Sequence, residues 1–212
     1  SEMKALQAQI NPHFLYNTLD SIIWMSEAGE NDQVVLMTSA LAKLLRQSIS
    51  NDREQITVAE EIDYVRSYLT IQKMRYKDKL EYTIDVEERI LDVRIIKFVL
   101  QPLVENAIYH GLKYKETKGN LDIRGYRRGN RVCLVVADDG AGMEESELEH
   151  ILEKKEKKTK SNGVGVYNVQ KRLQLYYGPE YGISYISRKG EGTVATVTIP
   201  LDGGKSNEET GR

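Results

Sequence analysis

Three groups of residues could do chemistry together. Residues 101–111, QPLVENAIYHG, place Asn106 on a strongly apolar helical stretch; Asp138-Asp139-Gly140-Ala141-Gly142 closes an apolar run; Gly163-Val164-Gly165 precedes a helical pattern. A carboxylate such as Asp138 accepts hydrogen bonds from an exocyclic amino group, and Gly140 and Gly142 let a flat base approach the backbone; a guanine would present an oxygen there instead. The free amides of a helix start at Gly163, Val164 and Gly165 suit phosphate oxygens. The Asn106 amide oxygen needs a partner in apolar surroundings, and a hydrated magnesium ion bridging phosphates would supply one. Gly190-Glu191-Gly192-Thr193 enters the last strand and would shape the pocket floor. Each piece alone has a plainer reading: an Asp-Gly turn, a helix start, a satisfied core amide, a hairpin turn. Their order along the chain favours a nucleotide site.

Far upstream, residues 9–14 read QINPHF. An unperturbed imidazole is largely neutral near pH 7, so His13 is a nucleophile able to take a phosphoryl group. Pro12 removes a backbone donor and is expected to loosen the helix around it. Gln9 and Asn17 lie one turn to either side of His13. Of the other histidines, His110 would pack or contact phosphate at the end of its helix, and His150 would face solvent.

These groups must be carried by a definite set of elements. Ala8, Leu15, Leu19 and Ile22 recur at helical steps across residues 6–28, as do Val34, Met37, Leu41, Leu44 or Leu45, and Ile49, predicting a helical hairpin with one buried seam on each arm. Two helices bury too little alone, so a homodimer forming a four-helix bundle through residues 1–55 is expected over packing on the downstream domain. Thr57 and Glu60 have capping-box spacing and open a helix with Val58, Ile62, Val65 and Leu69 on one side. Alternating stretches at 80–86, 121–126, 131–138, 183–187 and 193–200 predict strands of one sheet, covered on one face by helices at 95–110 and 166–177. The fold class is α+β: the hairpin, then an α/β two-layer sandwich on a mixed, mostly antiparallel sheet. Domains are drawn at 1–55 and 56–202, with a disordered tail at 203–212. Residues 144–160 are rich in Glu and Lys and read as a mobile flap, with Lys154, Lys155, Lys157, Lys158 and Lys160 either near phosphates or solvated.

Composition narrows the class. At 212 residues with 40% apolar content the chain can bury a core. A formal charge of −2 with interspersed signs gives no field for nucleic acid or an anionic bilayer. Cys133, the only cysteine, lies in an apolar run and reads as a buried strand residue in a reducing cytosol. No stretch approaches the roughly 20 apolar residues of a membrane span.

The four glycine- and asparagine-bearing stretches resemble, in order, the N, G1, G2 and terminal glycine boxes of the Bergerat-fold ATPase and kinase superfamily. Within it, QINPHFLYNTL and LQPLVENAIYHGL closely resemble the LytS/YesM-type sensor histidine kinases, and with the other boxes they cover nearly the whole chain. The resemblance implies ATP with Mg2+: Asp138 at adenine, Asn106 at the metal, and Gly163 and Gly165 near the phosphates. It also implies autophosphorylation of His13 and transfer to an aspartate of a response regulator receiver domain. The whole protein would be a bacterial membrane sensor whose kinase core lies in the cytosol.

The superfamily's hydrolases use a glutamate four residues before the metal-binding asparagine, where this chain has Pro102, which cannot act as a base. Glu105 lies about 100° around the helix from Asn106 and could polarise His13. Phe14 follows the histidine where commoner histidine kinases have an acid, Tyr109 stands where relatives often have lysine, and Asp139 where many have asparagine. Asn17 is assigned to positioning water for dephosphorylation of the bound regulator. The alternatives are a degenerate nucleotide-binding scaffold and a simple ATPase or serine kinase, and His13 argues against both.

Overall fold

The structure is a computed structural model and describes residues 10–49, 53–113, 115–153 and 163–204. The chain divides into two compact units: residues 1–54 with 62–78, and residues 55–61 with 79–212. A single boundary at 55/56 does not describe this division, because one helix is shared. The tail expected to be disordered lies, from residue 205 onward, outside the described residues, as do residues 154–160 of the expected flap.

In the first unit, α1 (Pro12–Glu27) and α2 (Asn31–Ile49) form the expected hairpin. Helix α1 starts at Pro12, and residues 6–9 of the expected helix lie outside the described residues. The residue before a proline is driven out of the helical region, and Asn11 is extended (φ −62°, ψ 118°), its side chain capping the His13 N–H. Proline at the first helical position costs nothing, since its missing donor would have no partner there. His13 is thus in the first turn of a capped helix, not in a loosened middle. The buried side of α1 is Phe14 and Thr18; Leu15 and Ile22 are half-buried and Leu19 is exposed, while Ala8 lies outside the described residues. Phe14 carries the larger apolar area and draws that face inward, its ring 4.9 Å from that of Tyr68. Helix α2 buries Met37, Leu41 and Leu44, with Ile49 exposed.

Helix α3 (Val58–Tyr76) is shared: its first turn belongs to the second unit and the remainder to the first. The Thr57 hydroxyl caps the Glu60 amide at 3.1 Å, and Val58, Ile62, Val65 and Leu69 are all buried as their spacing predicted. Among the described residues no helix is long and apolar enough to cross a membrane.

The second unit is built on five strands, β2 (Leu80–Val86), β4 (Gly119–Arg128), β5 (Arg131–Asp138), β6 (Gly182–Arg188) and β7 (Gly192–Pro200). Their order is β2-β4-β5-β7-β6, with β2 parallel to β4 and the other pairs antiparallel. Leu121, Ile123, Val132, Leu134, Val136, Ala195, Val197 and Ile199 line one buried face. That face is covered by α4 (Leu100–Asn106), its π-helical continuation Ala107–Leu112, and α6 (Gly163–Tyr177). A short helix, α5 (Glu145–His150), opens the expected flap. Cys133 is buried, as read from its apolar run.

The helix expected over 95–110 begins only at Leu100. Residues 94–96 instead form β3, paired with β1 (Gln55–Thr57) in a separate two-stranded sheet. Phe98 has a φ of 57°, which no helix continues through. The turn is held by Glu61, fully buried, whose carboxylate accepts the N–H groups of Phe98, Val99 and Leu100 at 2.9–3.0 Å. Burial raises the Glu61 pKa, and these three bonds oppose that rise. From α6, Arg172 donates to the Lys97 carbonyl at 2.6 Å. Glu61→Ala would strip three amides of their acceptor, at about 1–3 kcal/mol for each buried group left unpaired. Urea denaturation should show a loss of about 3 kcal/mol or more, with Glu61→Gln between the two; a loss under about 0.5 kcal/mol would rule out the cap as the holder of this turn.

Candidate active site

Strand register assembles the polar end of the covered sheet face. Asp138 lies opposite Leu121 on one side and Thr193 on the other, and Thr193 lies opposite Ser187. The row behind is Ile123, Val136, Ala195 and Tyr185. Asp138 ends its strand where the chain turns away, so its carboxylate stays on the inner face without a further strand residue to cover it.

The backbone closes tightly around that carboxylate. Its Oδ1 accepts the Gly140 N–H at 2.9 Å, and the Thr193 N–H also donates to the carboxylate. A Cβ on Gly111 would stand 2.6 Å from Asp138 Oδ1, and one on Gly140 would stand 1.9 Å from the Gly111 carbonyl oxygen. A side chain at Gly140 would force backbone to move, and one at Gly111 would displace the Asp138 carboxylate. Gly142, at φ +67°, abuts the Arg188 carbonyl. The loop is tied down by Ala141 N–H to Gly111 O (3.0 Å), Gly190 N–H to Ala141 O (2.6 Å) and Met143 N–H to Ser187 Oγ (2.8 Å). Burial is the largest influence on Asp138 and, with the Asp139 charge, outweighs the bonds from Gly140 and Thr193, pushing its pKa up to about 6.

Helix α4 brings the next group. The Oδ1 of Asn106 is buried and has no hydrogen-bond partner, as is Oε1 of Gln101. Gln101 Nε2 donates to Glu105 Oε1 at 3.2 Å; burial pushes Glu105 up to about 7 against that bond. Directly after Asn106 the helix becomes π-helical, a feature that recurs at functional sites. It carries Gly111 against Asp138 and leaves His110 partly open to solvent, its pKa lowered first by partial desolvation and then by Lys113. An orphaned amide oxygen fits a hard, oxygen-seeking cation that keeps most of its water. Among the described residues no cluster of three or more His, Cys, Asp or Glu could hold a metal ion.

Helix α6 opens at Gly163, making Gly163, Val164 and Gly165 its first turn; a Cβ on Gly165 would be 3.6 Å from Pro102 Cβ. The candidate phosphate amides therefore lie beside the first turn of α4. One unit thus holds a buried amino-group acceptor, an orphaned amide oxygen and a helix start.

Residues 91–203 match the family model described as histidine kinase-, DNA gyrase B-, and HSP90-like ATPase, and residues 1–80 match that of the histidine kinases. The chain belongs to the histidine kinase-, DNA gyrase B- and HSP90-like ATPase family. It is homologous to sensor histidine kinases, bearing out the LytS/YesM resemblance. It is 40% identical over 94% of its length to sensor histidine kinase YesM of Bacillus subtilis, 32% over 94% to BtsS of Escherichia coli, and 34% over 94% to sensor protein LytS of Oceanobacillus iheyensis. The chain spans only 33–34% of the length of these relatives. The histidine kinase domain of a blue-light activated kinase from Erythrobacter litoralis has the same fold (TM-score 0.55, 15% identity, 96% of this chain and 95% of that one). So does the catalytic domain of the histidine kinase ThkA (TM-score 0.54, 19% identity, 69% of this chain and 96% of that one).

The family's ATPase model covers the second unit's site, while His13 lies in the first unit. His13 is exposed on α1, with Asn17 Nδ2 3.0 Å from its Nδ1. Gln9 and the flap lysines 154–160 lie outside the described residues. Asp139 fastens β4 to the end of β5: it accepts the Asn120 N–H at 2.8 Å and a hydrogen bond from Asn120 Nδ2 at 2.7 Å, and pairs with Lys115 at 2.8 Å. Three contributors carry no signal in the sequence: Glu61, Ser187 and Tyr185. Glu61 is one acid among many in an amphipathic helix, and Ser187 and Tyr185 become visible only once β6 is registered on β7.

An acid whose folded pKa is raised binds protons more readily folded than unfolded. The cost of ionising Asp138 is therefore absent below about pH 4, grows between about 4 and 6, and is complete above that window. Asp138→Asn should be more stable than the parent by about 1–3 kcal/mol at pH 7.5. It should gain nothing at pH 3.5, by urea denaturation at both; an equal difference at the two pH values would contradict the buried, reluctant carboxylate.

Proposed function

We propose that this chain is the kinase core of a membrane-anchored two-component sensor: it binds Mg-ATP in the second unit, phosphorylates His13 and passes the phosphoryl group to an aspartate of a response regulator. The observation that carries this reading is the buried Asp138 acceptor, walled by glycines and lying in the same unit as the orphaned Asn106 oxygen, on a chain that also presents an exposed, helix-borne histidine.

In this reading Asp138 takes the adenine amino group, Gly140 and Gly142 let the ring lie against backbone, and the amides of Gly163, Val164 and Gly165 receive phosphate oxygens, with His110 close by at the helix end. Thr193 helps form the floor. Mg2+ held through Asn106 would neutralise phosphate charge. The lone-pair nitrogen of neutral His13 forms a P–N bond while the bond to the β,γ-bridging oxygen breaks, and ADP leaves. The imidazolium then loses its N–H proton, for which Glu105 is the assigned base, its buried carboxyl suited to accept a proton near neutrality. Pro102 supplies no base for water, which favours transfer over hydrolysis. Most of the catalysis is positioning and charge neutralisation.

Incubation with γ-labelled ATP and Mg2+ should give acid-labile, base-stable label on the parent chain. None is expected on His13→Gln, and at least about tenfold less on Asn106→Ala, one lost charge-assisted contact. Release of free phosphate without labelling would overturn the kinase assignment in favour of an ATPase. Asn17→Ala should still be labelled but lose dephosphorylation of the regulator; intact phosphatase activity would remove Asn17 from that role.

The first unit supports a dimer. Leu19 (42% exposed), Ile23 (53%) and Trp24 (67%) of α1, with Val35 and Leu36 of α2, leave apolar surface that a second copy of the hairpin would cover as a four-helix bundle. Sedimentation should give a dimer for the parent and a monomer for Leu19→Glu/Ile23→Glu. A dimer in both would place the interface elsewhere.

A further inference from the structure

We propose that Tyr185 is a base-reading residue: its hydroxyl donates a hydrogen bond to ring nitrogen N1 of the adenine whose amino group Asp138 accepts. This deepens the nucleotide reading and rests on it. An adenine edge offers a donor, the 6-amino group, beside an acceptor, N1; an edge reader therefore needs an acceptor and a donor side by side.

The acceptor is Asp138. Three hydroxyls lie along the same end of the sheet face, those of Ser187, Thr193 and Tyr185, and counting their protons decides which can serve as donor. Ser187 Oγ accepts the Met143 N–H at 2.8 Å and has a single proton, which it gives to the Gly192 carbonyl at 2.9 Å. Thr193 Oγ1 lies 2.8 Å from Ser187 Oγ, so with the Ser187 proton committed Thr193 must donate its own to Ser187. Thr193 is left with lone pairs only and cannot donate to N1.

Tyr185 has no such commitment. Its hydroxyl oxygen is buried and has no hydrogen-bond partner. A phenol hydroxyl in that state costs free energy in the empty site and regains it when a ligand supplies an acceptor. Register puts Tyr185 of β6 opposite Ala195 of β7, one row behind the Ser187–Thr193 pair. It is the diagonal neighbour of the Thr193 position that faces Asp138. The Asp138 charge is felt at the phenol, which is held above its ordinary range first by burial and then by that carboxylate, so the hydroxyl keeps its proton throughout the neutral range. Guanine carries a hydrogen on N1 and an oxygen at position 6, which would set donor against donor and oxygen against carboxylate. The pair therefore selects adenine at two adjacent atoms.

The test uses the full chain, Mg-ATP and Mg-1-deaza-ATP, in which C–H replaces N1, by titration calorimetry on the parent and Tyr185→Phe, a change that removes one oxygen atom. The parent should bind ATP about tenfold more tightly than 1-deaza-ATP, the worth of one hydrogen bond. Tyr185→Phe should weaken ATP by the same factor, leave 1-deaza-ATP unchanged and so abolish the preference. If Tyr185→Phe keeps the parent's preference, or the parent shows none, the assignment of Tyr185 is overturned while nucleotide binding stands. If the parent binds no ATP and Asp138→Asn changes nothing, the nucleotide reading itself fails.

Discussion

The Asp138 carboxylate is largely withdrawn from water, with backbone on several sides, and the rest of the second unit is arranged around that fact. A carboxylate loses water there at a cost that two backbone N–H groups only partly offset, as its raised pKa records. The chain meets this cost by bringing the end of the π-helical turn at Gly111 into contact with the loop at Gly140, an approach that would clash with any Cβ. One contact thereby joins the helix that carries Asn106 to the strand that carries Asp138. The buried acid remains an acceptor in want of a donor, which is the chemical condition for reading an amino group.

A second buried acid sets where that helix begins. Glu61 gathers three amides at the start of α4, and Arg172, in the third turn of α6, holds the adjoining Lys97 carbonyl, so one cluster ties the start of the helix bearing Asn106 to the body of the helix bearing the phosphate candidates. Glu61 belongs to α3, the helix both units share. The element that follows the histidine hairpin thus supplies the cap for the helix that carries Asn106.

Much of this is legible in the sequence where periodicity is strong. The alternation in residues 80–86 and 131–138 marks both strands at their observed bounds, and the helical rhythm of Val58, Ile62, Val65 and Leu69 marks a buried face. What escapes depends on single conformations or on distant partners. Nothing local announces the positive φ of Phe98, which a carboxylate thirty-seven residues away stabilises, so periodicity alone extends the helix at 95–110 one turn too far. Periodicity also makes Pro12 a weak point in a long helix, whereas its backbone chemistry makes it a start. Regular spacing puts the α1 seam on aliphatic residues, yet the larger ring of Phe14 governs that face. Asp138, Asn106 and the glycines stand out because nucleotide chemistry restricts residue type at those positions; Tyr185 and Ser187 do not, because their proximity to Asp138 exists only in the cross-strand register.

Whether a part-buried, ionised Asp138 reads a purine amino group is tested most directly by calorimetric titration of the parent chain with Mg-ATP and with Mg-ITP, which exchanges the 6-amino group for an oxygen, puts a hydrogen on N1 and leaves sugar and phosphates alone. ATP should bind at least about a hundredfold more tightly, because a buried acceptor left facing an oxygen loses its hydrogen bond and gains a repulsion. Equal affinities would contradict that role for Asp138.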